Sequence, residues 1–255
     1  SFCRQCDSRG WLDEDKKNWK PDPLWVENQA KILIARREEQ IKIDHAWKEG
    51  HQIGYYEGWN AAMSEPNYAW WHARGVYRDQ ISYYKLGYRP NKKVMSVENT
   101  ICEVGAYTIP AYDPDDWRVR NIHYRLDDPP QNVAGKYRLE NSISPASFYC
   151  ESHREGDALI VEGAIKALVM YKFLDGDMQV VGLPGMNPGK ETIEELKSFD
   201  RVWLALDPGS EKAAKKIQSV LDRCYVASLP FKCDDMALAG MERSEFREVM
   251  RHATK

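Results

Sequence analysis

Short apolar runs alternate with amphipathic segments over the last hundred residues of the chain. The apolar runs predict buried strands, and the segments between them carry the mixed apolar and charged pattern of helices. The predicted strands are 158–161, 179–183, 202–206 and 225–229, and the predicted helices are 164–173, 191–198, 211–223 and 244–252. Because strand and helix alternate regularly, we predict an α/β fold with a parallel sheet and right-handed crossovers.

The pattern upstream of this region is less regular. Acid–base pairs at i,i+4 spacing, such as Glu38 with Lys42, predict a mainly helical stretch over 24–63. Helix and short strands mix after it, which predicts a smaller α+β subdomain. We therefore expect four parts, namely a short knuckle-like segment at 1–20, a helical linker or insertion at 21–66, the α+β subdomain at 67–155 and the parallel-sheet domain at 156–255.

Composition narrows the class of protein. The chain has 255 residues, of which 43% are hydrophobic and 29% charged, so it can form a packed core. A net charge of −3 provides no global basic field, so nucleic-acid binding would need a local patch. Only Cys3 and Cys6 among the six cysteines form a close pair, which favours the reducing cytoplasm. No apolar run approaches the roughly 20 residues of a membrane span, so no membrane partner is expected.

Carboxylates follow three of the predicted strands. Glu162 comes directly after the first strand, Asp207 after the third, and Asp234 with Asp235 after the fourth and a short loop. The carboxyl ends of parallel strands meet at one edge of a sheet, and Mg²⁺ or Mn²⁺ prefers oxygen ligands. A single acid at such a position often only caps the next helix. Three at matching positions favour a metal site.

Cations concentrate in part of the α+β subdomain. They are Arg118, Arg120, Arg125, Lys136 and Arg138, and Tyr124 and Tyr137 lie among them. Cations beside aromatic rings suit phosphate contacts and base stacking. An ordinary solvated strand face gives the same pattern, so these residues alone leave both interpretations open. The glycines after the second strand lack the Lys-Ser/Thr ending of a P-loop, which excludes that nucleotide-binding motif.

Three motifs of the last hundred residues resemble the Toprim domain of primases, topoisomerases and related nucleases. They are Val161-Glu-Gly163, Leu206-Asp-Pro-Gly209 and Cys233-Asp-Asp235. The resemblance implies that Glu162 and Asp207 are catalytic metal ligands, with Asp234 or Asp235 adding a further one. It leaves open whether Glu162 instead acts as a general base. Gly209 departs from the family's Asp-x-Asp motif, which puts the second metal in doubt.

The preceding segment resembles the start of bacterial and phage primase cores. The resemblance rests on Tyr68-Ala-Trp-Trp-His-Ala-Arg-Gly75, the strand 106–113, the strand 119–126, and Gly135-Lys-Tyr-Arg138 followed by Asn141-Ser142. It implies that a set of basic and polar residues contacts nucleic acid or nucleotide phosphates, namely Arg120, Arg125, Lys136, Arg138 and Asn141. The family's usual lysine shortly after Asn-Ser is absent here.

The first residues resemble the second half of a zinc ribbon. Phe2-Cys-Arg-Gln-Cys-Asp-Ser-Arg-Gly-Trp11 supplies one Cys pair, whereas structural zinc needs four ligands. The chain is therefore expected to be a fragment of a longer protein that binds Zn²⁺ through Cys3, Cys6 and a pair further upstream. The alternative is that Cys3 and Cys6 are two ordinary thiols that bind no metal.

The resemblance as a whole implies a DNA primase in a bacterial cell or phage-infected host. Such an enzyme uses Mg²⁺ or Mn²⁺, a single-stranded DNA template and ribonucleoside triphosphates, and it works with a replicative helicase. Two rivals remain open. One is a Toprim nuclease with the same acids, and the other is a catalytically silent single-strand-binding module in which Gly209 marks lost metal chemistry.

Overall fold

The computed structural model describes residues 22–50, 53–151, 155–185 and 188–255. Cys3 and Cys6 lie outside the described residues. The chain forms two compact units, 1–42 and 43–255, and the features discussed below belong to the second. No helix in the described ranges has both the length and the apolar character needed to cross a bilayer.

The helices and strands alternate only after residue 156. The helices are α1 Pro23–Gly50, α2 Ile53–Ala61, α3 Glu65–His72, α4 Arg78–Tyr83, α5 Ala164–Leu174, α6 Lys190–Leu196, α7 Glu211–Gln218, α8 Cys233–Leu238 and α9 Arg243–Arg251. The strands are β1 Gly87–Met95, β2 Ile101–Tyr112, β3 Val119–Leu126, β4 Tyr137–Leu139, β5 Phe148–Tyr149, β6 Asp157–Glu162, β7 Gln179–Leu183, β8 Arg201–Leu204 and β9 Cys224–Val226.

The first sheet is a four-stranded antiparallel meander in the order β1-β2-β3-β4. The end of β1 alternates between buried and exposed positions, whereas β2 and β3 are buried at most positions, so this sheet is largely covered. Tyr56 of α2 is buried in a core with residues of this sheet, and Trp47 and Trp59 pack against that core. The part of the predicted helical stretch between Trp47 and Trp59, which the sequence left without a role, therefore helps to cover the first sheet.

The second sheet has the order β5-β7-β6-β8-β9. Four of its strands are parallel, as predicted, and β5 joins its edge antiparallel to β7. The mixed α/β and α+β class is thus confirmed. Sequence periodicity did not reveal β5, because a strand of two residues is too short to show an alternating pattern.

Alternation along β6 places apolar side chains on both faces of the second sheet. Leu159 and Val161 pack into one core together with α5, whereas Ala158 and Ile160 pack into the core on the opposite face. A parallel sheet covered on both sides requires such a continuous apolar run. The run ends at Glu162, which is therefore delivered to the carboxyl edge of the sheet.

The backbone immediately after β6 passes very close to β7. Gly163 has φ = 85°, a left-handed conformation that favours glycine, and its N–H donates to the Leu183 carbonyl at 3.0 Å. A Cβ atom on Gly182 would lie 2.6 Å from the Gly163 carbonyl oxygen. Two glycines therefore permit the turn that leads from Glu162 directly into α5.

Two element boundaries differ from the prediction in ways that affect the site. Strand β8 ends at Leu204, so Asp207 follows it after two intervening residues rather than at once. The helix α8 was not predicted, and it begins at Cys233, so that Asp234 and Asp235 lie in its first turn. Carboxylates there interact favourably with the helix dipole.

Candidate active site

A cavity of about 720 Å³ opens at the carboxyl ends of β6 and β7. The second sheet and its following segments contribute Glu162, Gly163, Lys166, Leu183 and Asp207 to its lining, and the first sheet side contributes Tyr137, Arg138, Glu140 and Asn141. The cavity therefore joins the acids of one sheet to basic and polar residues of the other. Ligand sites of open α/β sheets lie at this edge.

Glu162 is fixed by two hydrogen bonds from the segment that follows β8. The backbone N–H of Asp207 donates to Glu162 Oε1 at 3.0 Å, and the Ser210 hydroxyl donates to the same oxygen at 2.6 Å. These bonds bring Glu162 and Asp207 together, as the sequence predicts. Ser210, for which the sequence indicated no role, donates the second of these hydrogen bonds to Glu162.

Asp207 pairs with a lysine that the sequence analysis missed. The Lys166 ammonium lies 2.9 Å from Asp207 Oδ2, and the two side chains are only 14% and 19% exposed. Burial, the largest single influence, lowers the pKa of Lys166, but the hydrogen bond and the charges of Asp207 and Asp234 outweigh it and raise that pKa. The only sequence signal was the spacing of four from Glu162, which brings Lys166 back to the sheet edge.

Asp234 and Asp235 point into different surroundings. Burial raises the pKa of the Asp234 carboxyl, and the neighbouring charges of Asp235 and Asp207 raise it further against the opposing effect of Lys166. Asp234 is therefore electrostatically part of the acidic site. Asp235 is exposed and lines a separate depression with Phe231 and Met236. The structure thus brings one member of the pair toward Asp207.

The unsatisfied oxygens of the site suit a cation. Among the described residues, buried Oδ1 atoms of Asp207 and Asp234 have no hydrogen-bond partner, which is costly for a carboxylate. Hard oxygens of this kind fit Mg²⁺ or Mn²⁺. Within the same described ranges, however, no three His, Cys, Asp or Glu side chains are already grouped closely enough to hold an ion. Lys166 provides the positive charge beside Asp207 instead.

Only two of the predicted nucleic-acid residues line the cavity. Arg138 and Asn141 line the cavity, and the Arg138 guanidinium is held by the carbonyls of Tyr137 and Ala134 at 2.7 and 2.6 Å. Lys136 is exposed outside the lining residues. The exposed ring of Tyr137 lies at the cavity, where a base can stack on it.

Arg125 belongs to a basic and aromatic patch that we define by Arg74, Trp70, Arg125 and Tyr137. The Arg125 guanidinium lies 5.2 Å from the centroid of Tyr137, and that of Arg74 lies 3.5 Å from the centroid of Trp70. Burial, followed by the positive charge of Arg125, lowers the pKa of Arg74. The sequence alone indicates no role for Arg74, because its proximity to Arg125 arises only in the fold.

Arg120 lies away from the cavity and is surrounded by acids. Its guanidinium bonds the Glu195 carboxylate, and it approaches Glu191 at 3.7 Å and Asp113 at 4.0 Å. The Arg120 and Glu195 side chains are only 19% and 11% exposed. The geometry therefore favours a structural role, in which Arg120 ties β3 of the first sheet to α6 beside the second.

Solved structures of primases have a similar fold. The zinc-binding and RNA polymerase domains of Aquifex aeolicus primase match with a TM-score of 0.61 and 17% identity over 75% of this chain and 56% of that one. The RNA polymerase domain of Mycobacterium tuberculosis primase DnaG, in complex with a double-stranded DNA oligomer with a 6-nucleotide overhang, matches at 0.60 with 13% identity, covering 78% of each chain.

A phage structure also matches. It contains bacteriophage T7 lagging-strand DNA polymerase and primase domains of two gp4 subunits bound to an RNA/DNA hybrid and dTTP, and its TM-score is 0.55 with 21% identity over 71% of this chain and 90% of that one. No protein-family model and no curated protein matches the sequence. The chain therefore has the fold of bacterial and phage DNA primase cores, and it spans about half of the Aquifex chain that it matches.

Proposed function

We propose that the protein is a DNA primase core that synthesises RNA primers on single-stranded DNA. The observation that carries this proposal is the cavity in which Glu162, Lys166 and Asp207 face Arg138 and Asn141. Acids that hold a dication and basic residues that hold phosphates are both needed for nucleotidyl transfer. The fold of primase cores and the RNA/DNA hybrid bound by the T7 primase domains support the same conclusion.

The acids of the site and the basic residues across the cavity would have different roles. Glu162, Asp207 and Asp234 would hold Mg²⁺ or Mn²⁺, which neutralises phosphate charge when bound. Arg138 and Asn141 would contact the nucleotide or template across the cavity, and the patch around Arg125 and Arg74 would guide the strand outside it. Asp235 and Lys136 stay predictions, as do the zinc of Cys3 and Cys6, the replicative helicase and the cytoplasmic location.

One observation favours a second candidate function. The Lys166–Asp207 ion pair places a protein cation among the acids, and Gly209 supplies no side chain beside them. A binding module that has lost its metal chemistry would have such a site. It would bind single-stranded DNA through the same basic residues without making or cutting phosphodiester bonds.

A primer-synthesis assay separates these functions. The chain is incubated with single-stranded DNA, labelled ribonucleoside triphosphates and Mg²⁺ or Mn²⁺, and products are resolved by length. We expect short labelled RNA that requires both template and dication and disappears in EDTA. Binding to the same DNA, measured in parallel by fluorescence anisotropy, should fall as salt rises because phosphate contacts release counterions.

The other outcomes contradict the primase assignment in distinguishable ways. Shortened template without labelled RNA would identify a nuclease. The silent binding module would leave the template unchanged and make no RNA with either dication. It would also bind the DNA tightly, and EDTA would not alter that binding.

A further inference from the structure

The Lys166 ammonium is in direct contact with the carboxylate of Asp207. It lies in the first turns of α5, and its ammonium reaches back to within 2.9 Å of Asp207 Oδ2. The side chain is 14% exposed and lines the cavity together with Glu162 and Asp207. An ammonium held this way is part of the site and not a solvated surface charge.

The negative charge around Lys166 exceeds what one ammonium neutralises. Glu162 and Asp207 are joined through the hydrogen bond from the Asp207 N–H, and Asp234 acts electrostatically on both Lys166 and Asp207. One carboxylate oxygen each of Asp207 and Asp234 is buried without a partner in the described part of the chain. A single ammonium therefore leaves negative charge for one further cation to neutralise.

A purely structural ion pair explains these contacts less well. Such a pair gains stability when all polar atoms around it are satisfied, because burying a charge is costly. Here two acidic oxygens beside the ammonium remain unsatisfied, and the pair borders a cavity of about 720 Å³. Lys166 also projects from the helix whose first turn follows Glu162, so a phosphate bound in this end of the cavity would lie near its ammonium.

We propose that Lys166 is a built-in cation of the acidic site, so that the site works with a single dication and the ammonium neutralises phosphate charge in place of a second one. The ammonium competes with a dication for Asp207 when no nucleotide is bound. The part of this inference that concerns phosphate rests on the proposed function, whereas the competition for Asp207 does not.

Manganese binding to the whole chain tests the competition directly. Free Mn²⁺ is counted by electron paramagnetic resonance during titration of the wild type and of Lys166→Met, with Lys166→Arg as the charge-preserving variant. We expect the wild type and Lys166→Arg to bind alike and Lys166→Met to bind about tenfold tighter or to take a second ion, because a neighbouring positive charge has been removed. Lys172→Met is the matched control, since Lys172 projects from the same helix toward the exposed Asp79.

Equal or weaker Mn²⁺ binding by folded Lys166→Met would overturn the inference. If that variant does not fold, the same comparison is made with Lys166→Gln, which keeps a polar side chain. In primer synthesis, Lys166→Met should raise the KM for ribonucleoside triphosphates more than it lowers kcat. A wild type that makes no primers would refute the proposed function, while the manganese comparison would still decide whether Lys166 competes for Asp207.

Discussion

Replacement of Glu162 by glutamine should reduce primer synthesis by about a hundredfold or more, the scale expected when electrostatic stabilisation of a reacting phosphate is lost. The amide retains the oxygen that accepts the Asp207 N–H and the Ser210 hydroxyl, so both hydrogen bonds can persist. What disappears is the negative charge at the carboxyl end of β6. The initial rate of labelled RNA synthesis at saturating Mn²⁺ measures the effect.

The matched control is Glu194→Gln, which removes the same charge from an exposed position that pairs only with Lys197 among the described residues. It should retain wild-type activity. Thermal unfolding of Glu162→Gln should show a cooperative transition close to that of the wild type. Undiminished primer synthesis by this variant would remove Glu162 from the active site.

Replacement of Arg120 by alanine should destabilise the protein by about 3–5 kcal/mol, as measured when one partner of a buried ion pair is removed. The substitution would remove the guanidinium from the largely buried Glu195 carboxylate, which also accepts the Tyr149 hydroxyl at 2.7 Å. Urea unfolding followed by circular dichroism gives the free energy of unfolding. The double variant Arg120→Met with Glu195→Met should recover part of the loss, because the buried Glu195 charge is removed together with the guanidinium that pairs with it.

Arg118→Ala provides the control for Arg120. Arg118 lies two residues before Arg120, and its guanidinium pairs with Glu49. Both side chains are about half exposed, so the expected loss of unfolding free energy is at most about 1 kcal/mol. If Arg120→Ala instead leaves stability unchanged and weakens binding to single-stranded DNA, Arg120 contacts nucleic acid as the family resemblance implies. The structural role would then be wrong.

The sequence predicted those parts of the fold that depend on local pattern. The apolar run before Glu162 and the helix after it follow from neighbours in the chain, and their observed ends differ from the predicted ones by at most one residue. Glycines at 163 and 182 then fix how β6 leads into α5. The meeting of Glu162 with Asp207 followed from the general rule that parallel strands end at the same edge.

Features that depend on long-range geometry were not predictable in this way. Arg120 meets Glu195 across 75 positions, and Lys166 meets Asp207 across 41. Neighbouring acids also diverge on a helix, where successive side chains are about 100° apart. Asp234 and Asp235 therefore enter different surroundings, although their sequence context is nearly the same. Each of these outcomes required knowing which elements pack together.

A crystal of the chain soaked in Mn²⁺ tests the central claim, that carboxylates from separate strand ends share one dication. The anomalous difference map should contain a peak within about 2.5 Å of an Asp207 oxygen, on the side of the cavity that Glu162 borders. A map with no peak in this cavity, and with Glu162 and Asp207 directed to opposite sides of the sheet edge, would contradict the claim.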